Sequence, residues 1–145
     1  MDDTKAWLRR VRELDDEIAI RFERAMRLRA QLECPRSVLS DMPRCGGTKD
    51  WAEAADKLLD MEHELDDAID ALIAHKREVE GVIAQLPDER MREVMHLRYI
   101  DLRRWDVIID KLGCGRRTVF YTHGLALQKL SELYHQGLDF ALGKW

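Results

Sequence analysis

The sequence predicts an all-α chain, a long antiparallel helical hairpin of coiled-coil type followed by a C-terminal three-helix helix-turn-helix domain. Three observations carry this. Trp51, Leu58, Leu65, Leu72, Val79 and Leu86 stand at every seventh position, the spacing of a coiled-coil seam. Two prolines and a Gly-Gly pair fall within 33–49, where neither flanking helix can continue. Charged residues make up 36% and aromatics only 7% of the 145 residues, a composition that suits long helices and leaves little material for a sheet.

The first helix is expected from Thr4 to about Leu32. Val11, Ile18, Ala25 and Leu32 form one row at sevens, with Trp7, Leu14 and Leu28 in the neighbouring row and Arg21 interrupting it. Its remaining residues, Arg9, Arg10, Glu13, Asp16, Glu17, Glu23 and Arg27 among them, mix both signs as a solvated face does. After the bend, Asp50 is expected to start the second helix, with Glu53 three residues on to complete a capping box. Ala54, Met61, Ala68 and Val82 accompany the seven-residue row, and His75 breaks it. A helix of about 36 residues is roughly 54 Å long. So long a seam needs an equally long partner. The first helix supplies most of it, and the uncovered end near Val79–Leu86 is expected to pack on the C-terminal domain or on a second copy, which makes a homodimer the expected state.

Leu86-Pro87 ends the second helix, because proline lacks a donor and drives the residue before it out of helical conformation. Asp88 and Glu89 suit the first turn of the next helix, and Met91, Val94, Met95 and Leu97 give it an apolar stripe. Trp105, Ile108, Ile109 and Leu112 then recur at helical spacing until Gly113-Cys114-Gly115, whose glycines are the residues best able to take a positive φ. A further helix follows at once. Val119, Ala126, Leu127 and Leu130 form its apolar side, and Arg116, Arg117, Phe120 and Tyr121 point away from that stripe. Domain boundaries follow at 1–86 for the hairpin, 87–130 for the helix-turn-helix domain and 131–145 for a tail. That tail holds Leu133, Tyr134, Leu138, Phe140, Leu142 and Trp145 and is expected to fold back on the stalk or on a partner.

From Leu86 to Leu130 the chain resembles the promoter-reading C-terminal domain, region 4, of bacterial sigma factors, and more closely the phage late-gene activators of the RinA and ArpU type. The resemblance lies in LPDERMREVMHLRYID, in Trp105, Ile108, Leu112 and Gly113, in Thr118-Val119 and in the run His123-Gly124-Leu125-Ala126-Leu127. It implies a DNA-binding transcriptional regulator of phage or prophage origin, acting on late genes and contacting host RNA polymerase.

Charge distribution agrees. Residues 1–86 hold 14 Lys+Arg against 20 Asp+Glu, whereas residues 87–145 hold 10 against 8, so the expected reader is the basic half. At the start of the second helix of the motif, Arg116 and Arg117 suit guanine edges, while Thr118, Phe120 and Tyr121 are placed to reach bases or a thymine methyl. Arg98, Arg103, Arg104 and Lys129 suit phosphates, which fix register without reading sequence.

Other classes fare less well. No apolar run reaches the roughly 20 residues of a membrane span, and the N-terminus lacks the apolar core of a signal peptide, so a cytoplasmic protein is expected. Cys34, Cys45 and Cys114 form no C-x-x-C pair, and reduced thiols are expected. Met61-Glu62-His63-Glu64 lacks the second histidine of a zinc protease. No nucleophile pairs with a base and no glycine-rich phosphate loop follows a strand. The expectation is therefore a non-enzyme without metal or cofactor. Two competing readings remain: a DNA-packaging subunit resembling a small terminase, whose reader usually precedes its oligomerisation part, and a polymerase-binding module that does not bind DNA.

Overall fold

A computed structural model of the chain describes residues 1–33 and 47–141. Among these the protein is all-α: α1 spans Asp2–Glu33, α2 Gly47–Ile83, α3 Glu89–Met95, α4 Trp105–Leu112 and α5 Arg116–Ala141. A single π-helical turn, His96–Ile100, extends α3. The Pro/Gly bend with Cys34 and Cys45, and Leu142 and Trp145 of the tail, lie outside the described residues. No described helix is long and apolar enough to cross a membrane.

Two compact units emerge, one of Met1–Glu13 with the chain from Leu72 onward, the other of Leu14–Ala71. In the second unit, Arg21 reaches Glu64 at 3.1 Å and Arg29 pairs with Glu62, so numbers rise along α1 as they fall along α2. Arg21, which interrupts the apolar row, also bonds Glu17 one turn earlier at 2.8 Å. Burial here is sparse. Only Leu14 and Ala25 of this unit fall among the buried apolar residues described, and Trp51, at the start of the seven-residue row, is half exposed.

In the first unit the same row is fully enclosed, with Leu72, Val79 and Leu86 buried together with Leu8 and Val11 of α1. His75, the break in the row, is explained by a backbone partner: its Nε2 lies 2.9 Å from the Trp7 carbonyl, and its ring meets the Trp7 ring edge-on at 5.8 Å. Since a carbonyl only accepts, Nε2 carries the proton.

Two helix ends differ from the sequence-based expectation. Gly47 rather than Asp50 begins α2, leaving Asp50 inside the first turn, where its carboxylate still faces the positive end of the helix dipole. Ile83 rather than Leu86 ends it. The Gln85 and Leu86 N–H groups reach back three residues, to Val82 and Ile83, tightening the chain into a turn before Pro87. Asp88 then caps α3 by accepting from the Arg90 N–H.

Val94 and Leu97, with Ile108 of α4 and Val119 of α5, form the core of the C-terminal region, and Trp105, Ile109, Leu112 and Cys114 pack around it. Full burial of side chains this size contributes about 1.5–3 kcal/mol each. Beyond Leu130, α5 continues unbroken to Ala141. The tail therefore begins as more of the same helix, and its first turns lie against α1. The hydroxyls of Thr4 and Ser131 are hydrogen-bonded at 3.2 Å in a buried position, and the Tyr134 ring lies 4.8 Å from that of Trp7.

Candidate nucleic-acid interface

Three residues separate α4 from α5. Gly113 ends α4 in the left-handed region at φ 61°, and its N–H reaches the carbonyls of Ile109 and Asp110, closing the helix end as an αL cap does. Only this glycine needs its freedom among the two of Gly113-Cys114-Gly115; Gly115 does not adopt a positive φ. From Arg116 the chain is helical again.

Side chains on α5 separate cleanly. Val119, Ala126, Leu127 and Leu130 are buried, whereas Arg116, Arg117, Thr118 and Tyr121 are exposed, Tyr121 by two-thirds of its surface. The leading turns of α5 thus offer two guanidinium groups, a hydroxyl and a phenol to solvent from a helix whose other side is fixed in the core.

Phe120 is placed differently from the expectation that it points freely outward. Its ring lies 4.7 Å from that of Trp105, the first residue of α4, and is half-buried there. A ring–ring contact between neighbouring helices outweighs exposure to water. The same Trp105 ring takes the Arg98 guanidinium at 4.8 Å, and the Phe120 ring takes that of Arg116 at 5.5 Å. The result is a row of cation, ring, ring and cation, with both arginines held by the face of an aromatic.

Arg98 is likewise only half exposed. Besides covering Trp105, it donates from Nη1 to the Arg103 carbonyl at 3.1 Å. That bond, with the Arg103 N–H donating to the Leu97 carbonyl at 2.8 Å, fastens a short loop in which Leu102 holds a left-handed φ of 54°. Such a conformation is uncommon for a leucine and persists only where neighbours over-determine it. Arg103 and Arg104 remain exposed, with Arg104 3.5 Å from Asp106.

Below this row lies His123. Its ring is 4.8 Å from Trp105 and stacked on Tyr99, whose hydroxyl is 2.9 Å from Nε2. Burial, then the positive charges of Arg98 and Lys5, lowers its pKa to about 4, while burial raises that of Tyr99. A neutral imidazole beside a protonated phenol is a structural pair that spaces α5 from the π-turn.

Arg98, Arg104, Trp105 and Arg116 share one shallow depression with Asp106 and Asp110. Lys129, exposed on α5, stands apart, thirteen residues or about 20 Å along the helix from Arg116. The central ring Trp105 was absent from the sequence-based site. Its signal was its position as the first residue of α4, where a ring can turn back onto the neighbouring helix.

A family model described as "Protein of unknown function (DUF1492)" matches residues 32–131. The chain belongs to that family. In this DUF1492 chain the match takes in all of α2, α3 and α4 and ends at Ser131, inside α5. No curated protein and no solved structure matches it.

Proposed function

We propose that the protein is a sequence-specific, double-stranded-DNA-binding regulator in which α4 and α5 act as a helix-turn-helix and the leading turns of α5 enter the major groove. The observation that carries this is the outward display of Arg116, Arg117, Thr118 and Tyr121 from a helix start whose opposite side is locked in the core. A major groove admits one α-helix, and its guanine edges offer two acceptors that match arginine's fork. Arg116, steadied on Phe120, loses less side-chain freedom on binding than a free arginine does.

Around this reader, Arg103, Arg104 and Lys129 contact phosphates and set register. Arg98 acts through the loop it fastens as much as through its charge. The distal parts of α1 and α2 form a hairpin stalk that joins two copies, so that two readers meet one duplex. The resemblance to phage late-gene activators supports a role at late promoters, with contact to host RNA polymerase in a bacterial cytoplasm.

Selection of bound duplexes from a random pool tests the proposal. The native protein should enrich one sequence. Arg116→Ala with Arg117→Ala should lose that preference, at about 1–3 kcal/mol for each bidentate base contact, while helicity by circular dichroism is kept. Equal enrichment by both proteins refutes the assignment.

A further inference from the structure

We propose that the start of α1 extends the nucleic-acid surface, with Lys5, Arg9 and Arg12 taking the sugar-phosphate backbone of the duplex beside the groove that receives α5. The inference rests on the reading of the C-terminal region as a duplex-binding module, and it adds to that contact a helix outside the helix-turn-helix.

Spacing puts the three cations together. Arg9 follows Lys5 by four residues and Arg12 follows Arg9 by three, the separations that set side chains one above another along a helix. All three are exposed, while Leu8 beside them is fully buried, so the row runs along the flank of α1 that borders its packed side. About 10 Å separates its ends. Asp2 before it and Asp16 beyond it stand near the same line and limit the row to these three. Glu13, next in sequence to Arg12, is held at 3.4 Å by Arg10 from the other flank.

Ion pairing sets the row apart from the rest of the helix. Apart from Arg24, every basic side chain of α1 outside the row meets a carboxylate: Arg10, Arg21, Arg27 and Arg29. Among the described residues, Lys5, Arg9 and Arg12 meet none. Like charges at this spacing destabilise a helix, and a polyanion laid across them relieves the repulsion.

The row also borders the candidate reader. Met1–Glu13 belongs to the same compact unit as the chain from Leu72 onward, and Thr4, next to Lys5, bonds Ser131 on α5. His123 stands eight residues before Ser131 and seven after Arg116, on the same side of α5 as both. The three charges act across this boundary. Burial and then Arg12 lower the pKa of Arg98. Burial raises that of Tyr99 against the opposing charges of Arg98 and Arg9, and Lys5 follows burial and Arg98 in lowering that of His123. Arg98 in turn lines one depression with Arg104 and Arg116, so the α1 row continues a run of positive charge that already includes the reader. Flexible cations of this kind suit phosphates, which hold a duplex in place without reading its sequence.

The test uses the full chain and two duplexes of equal length and different sequence, one of them the duplex most enriched by the native protein. Affinity is read by fluorescence anisotropy between about 50 and 200 mM salt. Lys5→Gln, Arg9→Gln and Arg12→Gln should each lower the slope of log affinity against log salt by about 0.9 per bound protomer, on both duplexes alike, with helicity unchanged by circular dichroism. Arg10→Gln, on the other flank, should leave the slope as it is, and sequence preference should persist in all four. An unchanged slope in the variant carrying all three substitutions, or an equal fall in Arg10→Gln, overturns the α1 contact and leaves the reader standing. Loss of sequence preference in the triple variant overturns the assignment to phosphates. A native protein that binds neither duplex overturns both readings; one that binds the two equally overturns base reading alone, and the slopes still decide the role of α1.

Discussion

The Tyr99 hydroxyl and Nε2 of His123 lie 2.9 Å apart with their rings stacked, and this pair joins the π-turn after α3 to the third turn of α5. Because the imidazole is held at about 4 rather than its ordinary 6.5, the unfolded chain binds a proton between those values that the folded chain does not. Stability should therefore be full above pH 6.5 and fall as pH is lowered through 6.5 toward 4. Urea midpoints measured between pH 7.5 and 4 should show this decline, and His123→Gln should flatten it; an unchanged slope in the variant contradicts the assignment.

Gly113 and Gly115 should respond differently to the same substitution. A Cβ meets nothing within 4 Å at either position, but only Gly113 has a positive φ. Gly113→Ala should cost about 1–2 kcal/mol through the left-handed conformation, whereas Gly115→Ala should change stability by less than about half that. Denaturant titrations of the two variants make the comparison.

Ile108 is fully enclosed between Val94, Leu97 and Val119. Ile108→Ala should cost about 2–5 kcal/mol, the range for a large core side chain cut to a methyl. Amide exchange should accelerate across α3, α4 and the start of α5, the segments that share its contacts.

The buried hydroxyl pair Thr4–Ser131 gives a fourth expectation. Thr4→Val leaves the Ser131 hydroxyl without its partner, at a cost of about 1–3 kcal/mol, and Ser131→Ala added to it should recover part of that loss. The double-mutant cycle of melting curves reads the coupling directly.

For the proposed reader, Arg103→Ala, Arg104→Ala and Lys129→Ala should weaken binding to all duplexes by similar factors. Each should lower the slope of log affinity against log salt by about one. Loss of sequence preference in any of the three would move that residue from phosphate to base contact.

The helices and most of the core were legible because periodicity reports them directly. Val94, Leu97, Ile108, Val119 and Leu130 fall on apolar stripes in the sequence and are buried in the structure. The glycine break after Leu112 was legible for the same reason that Gly113 is needed there. What escaped depends on partners distant in the chain. Phase along α5 alone sends Phe120 outward; only the position of Trp105 on another helix brings it in. Nothing local marks Leu102 for a left-handed φ, because the restraint comes from the bonds Arg98 and Arg103 make around it. The π-turn at His96–Ile100 is likewise set by packing.

Because α5 runs without interruption from Arg116 to Ala141, it is a single rod about 39 Å long. Thr4 and Trp7 contact it at Ser131 and Tyr134, and Trp105 contacts it at Phe120 and His123, close to the arginine tip. Val119, Ala126, Leu127 and Leu130 hold the rod along its buried side, so the N-terminal turns of α1 and the exposed arginines are joined through one continuous helix.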